Sequence, residues 1–227
     1  MWKVCVLMKK IFLFDFDGTL VTEDILDVVC DIVGKKEESR KINADVISGK
    51  RSGLEPLITR INFLNGVTYE QIKEKLDQNN YLRDGVLKLF KILNERGYIT
   101  VLSSGNIEPV LRYYQELLNI TYIFGSSPYM EGDTIKGISE DRFKGHNFKY
   151  LSCLDVIKKQ GDQDKIVYGI GDSAVDKEML SLADIKFAIE PKGGLENHVD
   201  YVITDIEEII GYLDNDRNNV NLRKLIP

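Results

Sequence analysis

The chain has 227 residues, enough for one domain with a sizeable core or for a core plus a small insert. It carries 36 acidic and 30 basic residues, a formal net charge of −6, so neither a nucleic-acid backbone nor an anionic lipid surface is an expected partner. Cys5, Cys30 and Cys153 are far apart and odd in number, which argues against a disulfide framework or a zinc site and points to free thiols in a reducing, cytoplasmic setting.

The first ten residues are interrupted by Lys3, Lys9 and Lys10 and lack a small-residue cleavage site, so they are not read as a signal peptide. Met8 is an alternative start to Met1. No stretch approaches the roughly 18 uninterrupted apolar residues of a membrane-spanning helix. Ile11 to Phe14 is an apolar, aromatic run that reads as a buried strand ending in Asp15. From about Val21 to Asn80 no strand pattern occurs. Helical spacing covers 25–33, 39–47, 54–64 and 69–76, and Thr68 with Gln71 forms a capping-box signature. A helix is predicted from Asp84 to Arg96 with Gly97 as its stop, then a strand over 98–102 and a helix over 107–118 with Pro109 early in it. Gly132-Asp133 marks a hairpin between 129 and 138. A helix over Phe148 to Lys159 precedes strands at 165–170, 185–189 and 201–203, and the polar stretch from Asp214 to Asn221 reads as a loop or frayed end. Alternating strands and helices predict an α/β fold, a parallel sheet with helices on both faces.

Polar clusters fall at the C-terminal ends of these strands, the edge where open parallel sheets bind ligands. They are Asp15-Phe16-Asp17-Gly18-Thr19, Ser103-Ser104-Gly105-Asn106, a lysine near a helix start (Lys149 or Lys144) and Gly171-Asp172-Ser173-Ala174-Val175-Asp176. Gly193-Gly194 reads as a turn, and His146 and His198 are too far apart in sequence to suggest a metal pair.

The order D-x-D-G-T, Ser before Gly, Lys, then G-D-x-x-x-D resembles the haloacid dehalogenase superfamily across nearly the whole chain. The resemblance implies a three-layer Rossmann-like core, 1–21 and 82–227, with a helical cap inserted over 22–81. It implies a magnesium-dependent phosphatase acting on a small phosphorylated metabolite. Asp15 would be the nucleophile that becomes an aspartyl-phosphate, and Asp17 the general acid and base. Ser104, directly before Gly105, would hold phosphoryl oxygens with the Gly105 N–H. Lys149 is favoured over Lys144 because it precedes Asp172 by 23 residues, the family's separation. Asp15, the backbone carbonyl of Asp17 and Asp172 would hold Mg2+, with Asp176 orienting Lys149 or a metal-bound water.

The size and helicity of the insert resemble the phosphoserine phosphatase-like subgroup. There Asp24 would read the substrate's amino group and Arg60 its carboxylate, as suits a guanidinium. Gly18, Asn106, Ser173 and Val175 depart from the subgroup's motifs. Phosphoserine is the leading substrate expectation. The alternatives are another phosphomonoester (a sugar phosphate, phosphocholine or a methionine-salvage intermediate), a phosphomutase, or a non-catalytic binding protein on the same fold.

Overall fold

The computed structural model describes residues 8–143, 145, 147–161 and 164–214. Cys5, Lys144, His146 and nearly all of the polar C-terminal stretch lie outside them, as does the segment preceding Met8.

Six parallel strands form the central sheet: β1 (Lys9–Phe14), β2 (Ile99–Ile107), β3 (Tyr122–Ser126), β6 (Lys165–Gly171), β7 (Ile185–Ile189) and β8 (Tyr201–Ile203), in the order β3-β2-β1-β6-β7-β8. The separate hairpin pairs β4 (Met130–Glu131) with β5 (Thr134–Ile135), and Gly132 at φ 60° supplies the left-handed turn between them. β3 has no counterpart among the predicted strands. It is a short edge strand whose side chains are mostly half-buried, so its apolar signal is weak.

Period-two alternation splits β1 between two cores. Phe12 and Phe14 face one side, where they meet α5 (Val86–Glu95), α6 (Glu108–Leu118) and the helices of the insertion. Ile11 and Leu13 face the other side, under α7 (Phe148–Lys159) and α8 (Lys177–Leu180). On α7 the buried stripe is Cys153 and Val156, while Leu151, counted in the apolar periodicity, is exposed. Lys149 lies one turn before Cys153 on that inward stripe, which aims a charged side chain at the end of the sheet.

The insertion holds α1 (Ile25–Cys30), α2 (Lys36–Ile47), α3 (Glu55–Asn62) and α4 (Tyr69–Leu76), the last with the expected Thr68–Gln71 capping box. The chain leaves and re-enters the core through a paired stem, where Val21 bridges Leu82 and the Thr22 N–H donates to the Tyr81 carbonyl at 3.1 Å. No helix among the described residues is long and apolar enough to cross a membrane.

Candidate active site

Strand order reverses between β1 and β6, and the crevice outside their C-terminal ends is where an open α/β sheet binds ligands. Asp15 and Asp172 stand at those ends. The Asp15 N–H donates to the Ile170 carbonyl at 3.0 Å, which extends the sheet register through this residue and fixes its side chain at the rim. Thr19 is fully buried, and its Oγ1 donates to Asp15 Oδ2 at 3.0 Å.

Lys149 Nζ lies 2.6 Å from Asp15 Oδ1 and 2.8 Å from Asp176 Oδ1. Burial opposes its charge, but the two carboxylates outweigh burial and hold the ammonium above the ordinary lysine range. Asp176 has no exposed surface. Its Oδ2 accepts the N–H groups of Asp172 and Ser173, at 3.2 and 3.1 Å, so it fastens the loop after β6 while its other oxygen holds Lys149. Gly171 permits this approach, because a Cβ there would press on the Asp176 side chain. Desolvation, then repulsion from Asp176, pushes the Asp15 carboxyl up to about 7 against the pull of Lys149.

Asp15, Asp172 and Asp176 each offer a carboxylate oxygen, and these atoms all lie within 4.8 Å of one another. This is a hard-oxygen donor set with no imidazole or thiolate, which suits a hard divalent cation. A cation there would also relieve the crowding of like charges.

Asp17 turns toward the insertion. Its Oδ1 accepts the Ile25 N–H at 2.9 Å, and its two oxygens accept Asn106 Nδ2 at 3.3 and 3.2 Å. Ser104 Oγ donates to Asp17 Oδ2 at 3.4 Å and accepts the Asn106 N–H at 3.0 Å. Desolvation, with Asp24 and Asp15 adding repulsion, pushes the Asp17 carboxyl up to about 8. Ser103 takes the opposite side of β2, the side of Val101, so Ser104 is the serine at the cleft. Leu57 of α3 lies where a Cβ on Gly105 would touch it, which brings the insertion over the end of β2.

Asp24 and Arg60 are brought together, but against one another. Arg60 is buried, and its Nη2 lies 2.6 Å from Asp24 Oδ1 and 3.0 Å from Asp27 Oδ1, while Nε donates to Ser39 Oγ at 2.8 Å. Asp24 also caps α1 through the Asp27 N–H and accepts Asn43 Nδ2 at 2.8 Å. The guanidinium expected to face a substrate carboxylate is thus committed to two aspartates of its own chain.

Three contributors lie outside the sequence expectation. Asn106, read only as a departure from glycine, holds Asp17. Arg83 donates to the carbonyls of Gly18 (2.8 Å) and Thr19 (3.2 Å) and to Glu190 Oε2 (2.8 Å), tying the first loop to the loop after β7. Lys192, beside the Gly193-Gly194 turn, reaches Asp172 Oδ2 at 3.0 Å. Asn106 belongs to a polar cluster visible in the sequence and Lys192 adjoins the Gly193-Gly194 turn, whereas nothing in the sequence marks Arg83.

The model of the haloacid dehalogenase-like hydrolase family matches residues 12–181. Phosphoserine phosphatase of Methanocaldococcus jannaschii is 28% identical over 207 residues, covering 90% of this chain and 98% of that protein. A solved phospho-aspartyl intermediate analogue of phosphoserine phosphatase is 27% identical with a TM-score of 0.73, covering 91% of this chain and 99% of the other. A substrate-bound phosphoserine phosphatase complex is 26% identical with a TM-score of 0.74 over the same shares of the two chains. With the matched region covering most of the chain and taking in Asp15, Asp17, Asp172 and Asp176, the chain belongs to the haloacid dehalogenase-like hydrolase family.

Proposed function

We propose that this hydrolase is a magnesium-dependent phosphatase that removes the phosphoryl group from a small phosphomonoester, with phosphoserine the first substrate to test. The observation that carries the proposal is Lys149, held 2.6 Å from Asp15 and 2.8 Å from Asp176 at the switch point of the sheet. A carboxylate fixed at a strand end beside a buried ammonium suits in-line attack on a phosphorus whose oxygens need neutralising.

In this mechanism the Asp15 carboxylate attacks phosphorus and the alkoxide leaves, taking the proton that Asp17 donates. The phosphoryl group then rests on Asp15. Asp17, now ionised, draws a proton from a water that attacks the same phosphorus, releasing inorganic phosphate and restoring Asp15. The raised pKa of Asp17 and its bonds to Asn106 and Ile25 suit a proton donor held in place. Ser104 and the Gly105 N–H hold phosphoryl oxygens, and Lys149 offsets charge between them and Asp15. Asp15, the Asp17 carbonyl and Asp172 would hold Mg2+, which supplies positive charge against the phosphoryl oxygens. Asp176, already bonded to Lys149 and two backbone N–H groups, keeps the lysine in position.

Residues 22–81 serve as a cap that selects the substrate, with the paired stem at Val21 and Leu82 as its base. Asp24 lines the cleft and is suited to a substrate amino group. Arg60 anchors Asp24 in that place. The likeness to phosphoserine phosphatases over about nine-tenths of the chain supports phosphoserine. The buried free thiols of Cys30 and Cys153 fit a reducing, cytoplasmic setting.

The test is phosphate release over a panel of phosphorylated metabolites, each with magnesium and with excess EDTA. We expect release from phosphoserine with magnesium and none with EDTA. Release undiminished by EDTA, or no release from any phosphomonoester, would overturn the proposal.

A further inference from the structure

The cleft that opens between the insertion and the end of the sheet has a volume of about 360 Å³ and is lined by residues of both, among them Asp17, Asp24, Ile47, Asp172, Val175 and Lys192. Lys192 is the one cation among its described lining residues. Lys149 is not on the lining and is shared by Asp15 and Asp176. Arg60 is buried and shared by Asp24 and Asp27. A substrate that brought a second anionic group into this cleft would meet no other basic side chain among the described lining residues.

The backbone places Lys192 with care. Its N–H donates to the Asp172 carbonyl at 2.7 Å, which sets the base of the side chain against the loop after β6. Glu190, two residues earlier and directly before Pro191, has φ 45°, a left-handed conformation that a non-glycine residue before proline rarely adopts. Arg83 clamps Glu190 at 2.8 Å and holds the Gly18 and Thr19 carbonyls. Gly18, at φ 86°, leaves the space that the Asp172 carboxylate takes up, because a Cβ there would collide with it.

The other charges on the lining have partners of their own. Asp24 is held by Arg60 and Asn43, Glu23 lies within 3.7 Å of Arg40, and Asp17 is held by Asn106 and Ile25. Lys192 Nζ rests on Asp172 Oδ2 at 3.0 Å, but its side chain is 68% exposed. A pair that open to water is weak, so it yields readily to a competing partner. Asp172 is also one of the carboxylates able to hold a divalent cation. Once Asp172 turns to that cation, Lys192 is the positive charge left without a partner, on a flexible stem facing the cleft.

We propose that Lys192 is the specificity-determining residue for a second anionic group on the substrate, a carboxylate in the phosphoserine case, and that its contact with Asp172 is a resting position. The proposal rests on the phosphatase reading for the location of the phosphoryl group, and its test is one of binding and not of turnover.

The probes are 3-phosphonopropionate and propylphosphonate, two non-hydrolysable phosphonates that differ in the carboxylate. Each is titrated by calorimetry into the full chain in magnesium. The wild-type protein should bind the carboxylated probe about tenfold more tightly. Lys192→Ala should abolish that preference, so that the two probes bind alike, and Lys192→Arg should keep it. A preference that persists in Lys192→Ala, or that Arg60→Ala removes while Lys192→Ala does not, overturns the proposal, as does failure of the wild-type chain to bind either probe. Phosphate release by the wild-type enzyme, measured separately, tells the two readings apart. Turnover with a Lys192-independent preference sinks only the specificity role, and a Lys192-dependent preference without turnover sinks only the phosphatase.

Discussion

At the sheet edge Lys149 is shared between Asp15 and Asp176, and in the insertion Arg60 is shared between Asp24 and Asp27. The two clusters have the same charge pattern but different surroundings. Around Lys149 a further carboxylate, Asp172, stands within 4.8 Å of the other two, and the burdened group, Asp15, is pushed up to about 7 by burial and by Asp176. Those three carboxylates could hold a divalent cation as well. Around Arg60 the spare hydrogen-bonding capacity is taken up by the chain itself. Ser39 Oγ donates to Asp27 at 2.5 Å and accepts Arg60 Nε, while Asn43 donates to Asp24. Burial, then the charge of Asp24, pushes the Asp27 carboxyl up, and Arg60 and Ser39 oppose the shift. The carboxylates of the first cluster could hold a divalent cation, whereas the guanidinium of the second is taken up by its own chain and ties α1, α2 and α3 together, leaving Asp24 on the cleft wall.

The two clusters should therefore respond differently to loss of their cation. Arg60→Ala leaves Asp24 and Asp27 facing each other in a buried site, and should cost about 3–5 kcal/mol of stability in urea unfolding whether or not magnesium is present. A cost below about 1 kcal/mol, or one that magnesium reverses, would break the contrast. Lys149→Ala should cost a similar amount, about 3–5 kcal/mol without metal, because the carboxylates it leaves behind, Asp15 and Asp176, are at least as buried as the Arg60 pair. Magnesium should then raise the midpoint of this variant more than that of the wild type, since the ion binds the native state and offsets the uncompensated aspartates. Equal shifts in the two proteins would mean that the sheet-edge carboxylates do not hold the ion.

The sequence made one of these regions easier to read than the other. Asp15 and Asp172 directly follow strands, Asp17 and Asp176 lie within a few residues of them, Ser104 sits in the last part of β2 and Lys149 at a helix start, so motif order and sheet geometry together point to one edge. Four insertion helices were also legible from apolar spacing, and Thr68 with Gln71 marked the start of α4. What escaped was what depends on side chains meeting across distant loops. Arg60 and Asp24 were recognised as a pair of interest, yet nothing in the spacing shows that Asp27 and Ser39, on α1 and α2, would take up the same guanidinium. Lys192 looked like an ordinary residue beside a glycine turn, because its position depends on a backbone bond to Asp172 and on the clamp from Arg83. β3 was missed because a half-buried edge strand carries little apolar contrast.

A sheet-edge cluster that makes Asp15 a nucleophile should leave the phosphoryl group on that residue during turnover. The most direct measurement is to mix the protein with radiolabelled phosphoserine and magnesium, quench in acid within a turnover, and locate the label by peptide mapping. One labelled peptide, modified at Asp15, is expected, with no label in Asp15→Asn. Turnover that proceeds with no label on Asp15, or with label on another residue, would contradict it.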